Sequence, residues 1–175
     1  LLVSVPRQTN DMMVLQCLLM LSLVSFSYMA RSDKVRLLAV KEYIEVPKTN
    51  LEIHVFAWKR TKSLKRLLRS LQQAIKPVDL DASITFHVDF GHEEKIRGIL
   101  DSFEWNLGKK SVLYKSFNYG LPHNILHSWS STSSDQYALF LEDDVEVSPY
   151  YLFWAAMCIS EMKKTKAGLI GCSLY

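Results

Sequence analysis

Leu51–Trp58 (LEIHVFAW), followed by Leu64, Leu67, Leu68, Leu71 and Ile75 at helical spacing, decides how this chain is read. The first stretch is a short apolar run of strand length, and the second is one apolar stripe of a helix, so the pair reads as a strand entering a crossover. Ser63 stands where a helix N-cap is expected and Pro77 where the helix should stop. The alternation then repeats. Ser83–Phe90 (SITFHVDF) is a strand, and His92–Phe103 is a helix with Ile96, Ile99, Leu100 and Phe103 on one face. Ser111–Phe117 is a strand. The turn Asn118-Tyr119-Gly120 leads to a short helix around Ile125, Leu126 and Trp129, then to a polar loop over 130–135. Tyr137–Leu141 is a compact apolar strand that ends in Glu142-Asp143-Asp144. Ser148 and Pro149 occupy N-cap and first-turn positions of a helix expected to reach Lys164, with Leu169–Leu174 as a further strand.

Strands alternating with helices imply an α/β domain with a mainly parallel sheet and helices on both faces. In such sheets ligands bind at the carboxyl ends of the strands. Three groups leave those ends: Arg60 after the first strand, Asp89 at the end of the second, and the acidic triplet after the fourth.

Upstream, Met12–Ala30 carries no charge over 19 positions, about the span of a hydrocarbon core of roughly 30 Å crossed as a helix. Two readings stand: a signal-anchor, or a signal peptide initiated at Met12 or Met13 and cut after Ser27. A buried core helix is the alternative. The expected location is therefore the membrane on the lumenal side of the Golgi or endoplasmic reticulum, or the exterior if residues 12–27 are removed. Residues 1–30 form the anchor or signal, 31–50 a stem or lead-in, and 51–175 the folded part. The chain begins at Leu1 and ends at Tyr175 inside an apolar run, which reads as a piece of a longer chain, truncated at its C-terminus.

The whole chain is 175 residues, 49% hydrophobic and 22% charged, with a formal net charge of +3. That imbalance is too small to suggest a nucleic-acid partner. Three cysteines exclude a disulfide scaffold, although Cys158 and Cys172 could pair in an oxidising compartment.

Three consecutive carboxylates at the end of a buried strand repel one another unless a cation or hydrogen-bond donors offset them. Mn²⁺ or Mg²⁺ suits such a set, because both take oxygen ligands and use one or two carboxylates together with substrate phosphates. The competing reading is an exposed acidic turn before a helix N-terminus, where negative charge is favoured anyway. An aspartyl-nucleophile phosphatase is excluded by the frame: the first acid is Glu142, and Val145 stands where the second Asp of such a motif should be.

Tyr137–Tyr151 (YALFLEDDVEVSPYY) resembles the strand, acidic motif and following helix of nucleotide-sugar glycosyltransferases with the GT-A fold. It is most similar to inverting families whose motif reads Glu-Asp-Asp, such as N-acetylglucosaminyltransferase I, and to family-2-like enzymes. Ile53–Arg60 with Leu64–Leu71 resembles their first strand and helix, and Asn118–Asn124 (NYGLPHN) their Asn-x-Gly and later Asn element. The resemblance implies a Rossmann-like GT-A fold and a metal-dependent transferase. It would move a sugar from a nucleoside-diphosphate donor, a UDP-sugar, to a hydroxyl of a glycan, protein or lipid acceptor, with inversion. It implies Asp144 as the metal ligand, Glu142 and Asp143 facing ribose or donor-sugar hydroxyls, and Arg60, Asp89 and Asn124 around the nucleotide. The catalytic base of inverting members lies downstream of the motif, so none is assigned. A membrane-tethered nucleotide-sugar-binding module without turnover is the alternative. His123 and His127, four apart, lack the Glu of a zinc-protease pattern and read as ordinary histidines.

Overall fold

The computed structural model describes residues 49–77, 80–131 and 135–164. Its elements run β1 (Thr49–Ala57), α1 (Thr61–Gln72), β2 (Leu80–Val88), α2 (Glu93–Asp101), β3 (Lys110–Tyr114), α3 (Leu121–Ser128), β4 (Gln136–Glu142) and α4 (Tyr151–Lys164). The strands form one sheet in the order β3-β2-β1-β4. Every pairing is parallel. The expected α/β architecture is therefore the observed one, with β1 and β2 at its centre.

Register partners divide the sheet into two unlike faces. Ile53 pairs with Ile84 and Leu139, and Val55 with Phe86 and Leu141. These side chains are 5% exposed or less, and they share one core with Leu64, Leu67 and Leu71 of α1, Ile96 and Leu100 of α2, and Leu152, Ala155 and Ile159 of α4. Full burial of each such aliphatic side chain contributes about 2 kcal/mol, so this face carries most of the stabilisation. The opposite face carries His54, Phe56, His87 and Phe140, and α3 lies on it, with Trp129 set edge-on to Phe140. Helices thus cover both faces.

Several local expectations move. Ser63 does not cap α1: the helix begins at Thr61 with Arg60 at the N-cap and no side-chain cap, because Arg60 is drawn toward the acidic loop. Ser63 Oγ instead accepts from Arg66. The second strand stops at Val88, so Asp89 is the first residue beyond it, and the third stops at Tyr114 rather than Phe117. Ser148 and Pro149 form a turn ahead of α4, in which Ser148 Oγ accepts from Tyr150 N–H at 3.3 Å. One glycine is required by packing. A Cβ at Gly108 would stand 2.3 Å from the Ala82 carbonyl oxygen, because the 107–109 backbone runs hydrogen-bonded along β2.

Residues 12–30, the 31–48 stretch and Leu169–Leu174 lie outside the described residues. Among the described residues no helix is long and apolar enough to cross a membrane. Cys158 is disulfide-bonded, while Cys17 and Cys172 fall outside the described residues.

Candidate functional site

Because all four strands run the same way, their carboxyl ends share one edge, and the turns after β1 and β4 are adjacent there. Two links tie α1 to the loop that leaves β4. Arg66 pairs with Glu146 at 3.0 Å, and Val147 N–H donates to Ser70 Oγ at 3.1 Å. The third and central link is Arg60. Its Nε donates to Asp143 Oδ1 at 2.7 Å, and its Nη2 lies 2.7 Å from the same oxygen. Its Nη1 donates to Asp144 Oδ2 at 2.6 Å, and Glu142 Oε2 is 3.8 Å from Nη2.

The three acids are not equivalent. Asp143 is 2% exposed, and its second oxygen accepts from Trp58 N–H at 3.2 Å. The Asp144 and Glu142 side chains are 40% and 46% exposed. Asp143 is therefore the anchor of the cluster, and Asp144 and Glu142 are the carboxylates that face solvent beside it. Partial desolvation lowers the Arg60 pKa, but the hydrogen bond and charge of Asp143, with the charges of Asp144 and Glu142, outweigh it and the net shift is upward. The acids also accommodate Arg60, a cation at the N-cap of α1, whose first turn carries no acidic residue. Cations at a helix N-terminus are ordinarily disfavoured, and the carboxylates of the β4 loop offset that cost.

The donor set fits a divalent ion of the Mn²⁺ or Mg²⁺ kind. Three carboxylates share one guanidinium, so negative charge remains uncompensated, and Asp144 and Glu142 present it outward. Among the described residues no group of three acidic, His or Cys side chains is placed to hold a metal ion. One reachable carboxylate is nonetheless sufficient for an ion whose other ligands are water and phosphate.

Asp89 and Asn124 stand apart from this cluster. Asp89 is 6% exposed, and its carboxylate accepts backbone N–H groups of Phe90 (3.1 Å), Tyr119 (3.2 Å) and Gly120 (3.1 Å). Gly120 adopts a φ of 74°, a left-handed conformation that favours glycine. Asp89 thus holds the turn that starts α3. Asn124 is 5% exposed on α3, and its Oδ1 has no hydrogen-bond partner. Of the six expected site residues, the structure gathers Arg60, Glu142, Asp143 and Asp144 into one cluster and places Asp89 and Asn124 at the adjoining turn and helix.

Sequence reasoning missed the main-chain donors of Trp58, Tyr119 and Gly120, which no side-chain pattern reveals. It also missed His54 and His87, whose Nδ1 and Nε2 lie 2.9 Å apart on the aromatic face. The period-two pattern, which sets both opposite Ile53 and Phe86, was the available signal. His123 and His127 do face one way on α3, with ring centroids 4.2 Å apart.

Residues 62–166, more than half of the chain, match the family described as SPBC1E8.03c C-terminal domain. No curated protein matches the chain. Among solved structures it is similar to S. aureus TarS 1-349 in complex with UDP-GlcNAc, at 19% identity over 66% of this chain and 32% of that one, with a TM-score of 0.45. It is similar also to the same TarS fragment in complex with UDP, at 19% identity over 66% and 33%, with a TM-score of 0.43. The chain spans about a third of the length of those TarS structures.

Proposed function

The chain belongs to the SPBC1E8.03c C-terminal domain family, and from that premise we propose that it is the donor-binding part of a glycosyltransferase that uses a nucleoside-diphosphate sugar. The observation that carries the reading is the Arg60–Asp143–Asp144 cluster. It combines one buried and one exposed carboxylate with a guanidinium, at the carboxyl edge of a parallel sheet. The resemblance of residues 137–151 to the Glu-Asp-Asp transferases supports the same conclusion. UDP is the nucleotide proposed, a sugar hydroxyl of a glycan, protein or lipid the acceptor, and inversion the stereochemical course.

Asp144 would hold Mn²⁺ or Mg²⁺, which when bound neutralises a diphosphate leaving group. Each of the chain's own residues has a distinct task. Asp143, fixed by Trp58 N–H and Arg60, sets the position of the loop and of Asp144 with it. Glu142, half-exposed beside it, is available to ribose or donor-sugar hydroxyls. Asp89 orders the 118–120 turn, and Asn124 offers an unpartnered amide oxygen one helical turn further on.

The test is calorimetric titration of UDP into the full chain, with and without Mn²⁺, repeated on Asp144→Ala. Metal-dependent binding that disappears in the variant is the expected result. A folded wild-type chain that takes up no UDP in the presence of Mn²⁺ would overturn the assignment.

A further inference from the structure

We propose that Arg60 is a built-in counter-ion, which grips Asp143 and Asp144 in the free protein and must release Asp144 before a divalent cation binds there. The proposal rests on the reading of Asp144 as metal ligand and adds a competing occupant from the chain itself. Among the described residues Arg60 is the cation within ion-pair distance of the triplet. Two basic neighbours are engaged elsewhere: Lys59 lies over the Trp58 ring at 4.2 Å, and Arg66 pairs with Glu146.

The two ends of the grip differ in a way that makes exchange possible. The inner end is buried: Nε and Nη2 both meet Asp143 Oδ1 at 2.7 Å, and the Asp143 side chain is 3% exposed. The outer end is open: Nη1 meets Asp144 Oδ2 at 2.6 Å, and both side chains there are 40% exposed or more. Exposed ion pairs contribute about 1 kcal/mol or less, whereas parting a buried charge from its partner costs several kcal/mol because that charge is left uncompensated. A cation arriving from solvent therefore displaces the outer arm while the inner arm stays on Asp143. Binding is weakened by the competition, since the measured affinity is reduced by the fraction of molecules in which Asp144 is free. A guanidinium left a few ångströms away also repels the incoming ion.

The experiment titrates Mn²⁺ alone, without nucleotide, into the full chain and its Arg60→Met and Arg60→Lys variants. The ¹⁵N signals of the Arg60 guanidinium are followed in the wild type during a Mg²⁺ titration. Arg60→Met is expected to bind Mn²⁺ about tenfold more tightly than wild type. Arg60→Lys, which keeps the charge but loses the fork that spans two acids, should fall between them. The wild-type guanidinium signals should shift as Mg²⁺ saturates. If Arg60→Met does not fold, the lysine variant and the wild-type signals still decide the matter. Equal Mn²⁺ affinity in wild type and the variants, or saturation with Mg²⁺ that leaves the guanidinium signals unmoved, overturns the counter-ion and leaves the metal reading standing. Absence of binding in folded wild type and folded variants alike overturns both.

Discussion

Asp89 and Asp143 leave the sheet on either side of the β1 exit, at 6% and 2% exposure, yet their charges are met in opposite ways. Asp89 is surrounded by main-chain donors, the N–H groups of Phe90, Tyr119 and Gly120. Such donors are part of the fold and cannot leave without unfolding a turn. Asp143 has one main-chain donor, Trp58, and otherwise depends on the Arg60 side chain, which is 47% exposed and shared with Asp144. The first arrangement is fixed and the second is exchangeable. A carboxylate at a strand end is thus a structural part or a working part according to whether backbone or side chain neutralises it.

A third buried polar group sharpens this contrast, because it is neutralised by losing its proton. His54 and His87 are 4% and 2% exposed, and burial lowers both pKa values from 6.5 to about 4, with the charges of His54 and Lys115 acting further on His87. Glu52 Oε2 lies 3.7 Å from His54 Nε2, beyond hydrogen-bond distance. Since the folded values lie below the unfolded ones, the unfolded chain takes up protons first as pH falls below about 6.5. Stability contributed by the pair is complete above that pH and is lost toward pH 4. We expect a loss of about 6 kcal/mol between pH 7 and pH 4, read by urea unfolding and largely absent in a His54→Phe/His87→Phe double variant. A wild-type profile no steeper than the double variant's would count against the buried neutral pair.

The fixed arrangement is broken by Asp89→Ala. The variant removes three backbone hydrogen bonds and strands two donors, Phe90 and Tyr119 N–H, because Gly120 N–H retains Asn118 Oδ1. A loss of about 3 kcal/mol in unfolding free energy is expected. Loss below about 1 kcal/mol would show that water serves the turn as well as the carboxylate does. The exchangeable arrangement predicts the smallest effect on the fold. Asp144→Ala removes a half-exposed side chain from an exposed pair, so stability should change by less than about 0.5 kcal/mol while Mn²⁺ binding is lost. A destabilisation as large as that of Asp89→Ala would place Asp144 with the structural acids.

Much of this was legible in the chain itself. The spacing of Leu64, Leu67, Leu68 and Leu71 and the apolar runs at 51–58 and 137–141 state their elements locally, since period and propensity act over a few residues. Parallel pairing followed from the alternation of those elements, and the carboxyl-edge position of Arg60, Asp89 and residues 142–144 followed from parallel pairing. Element ends were less legible. The α1 N-cap moved from Ser63 to Arg60, which is held by acids that lie more than eighty residues away in sequence.

What the sequence by itself determined is the order of strands and helices, the core-facing leucines and the set of charged residues at one edge, all consequences of local pattern. Only the tertiary structure decided which of those charges meet. The pattern named Arg60, Asp89 and the 142–144 triplet without saying which would pair with which. The fold closes Arg60 onto Asp143 and Asp144 and surrounds Asp89 with backbone donors, because hydrogen-bond partners are assigned by three-dimensional proximity at distances of about 3 Å.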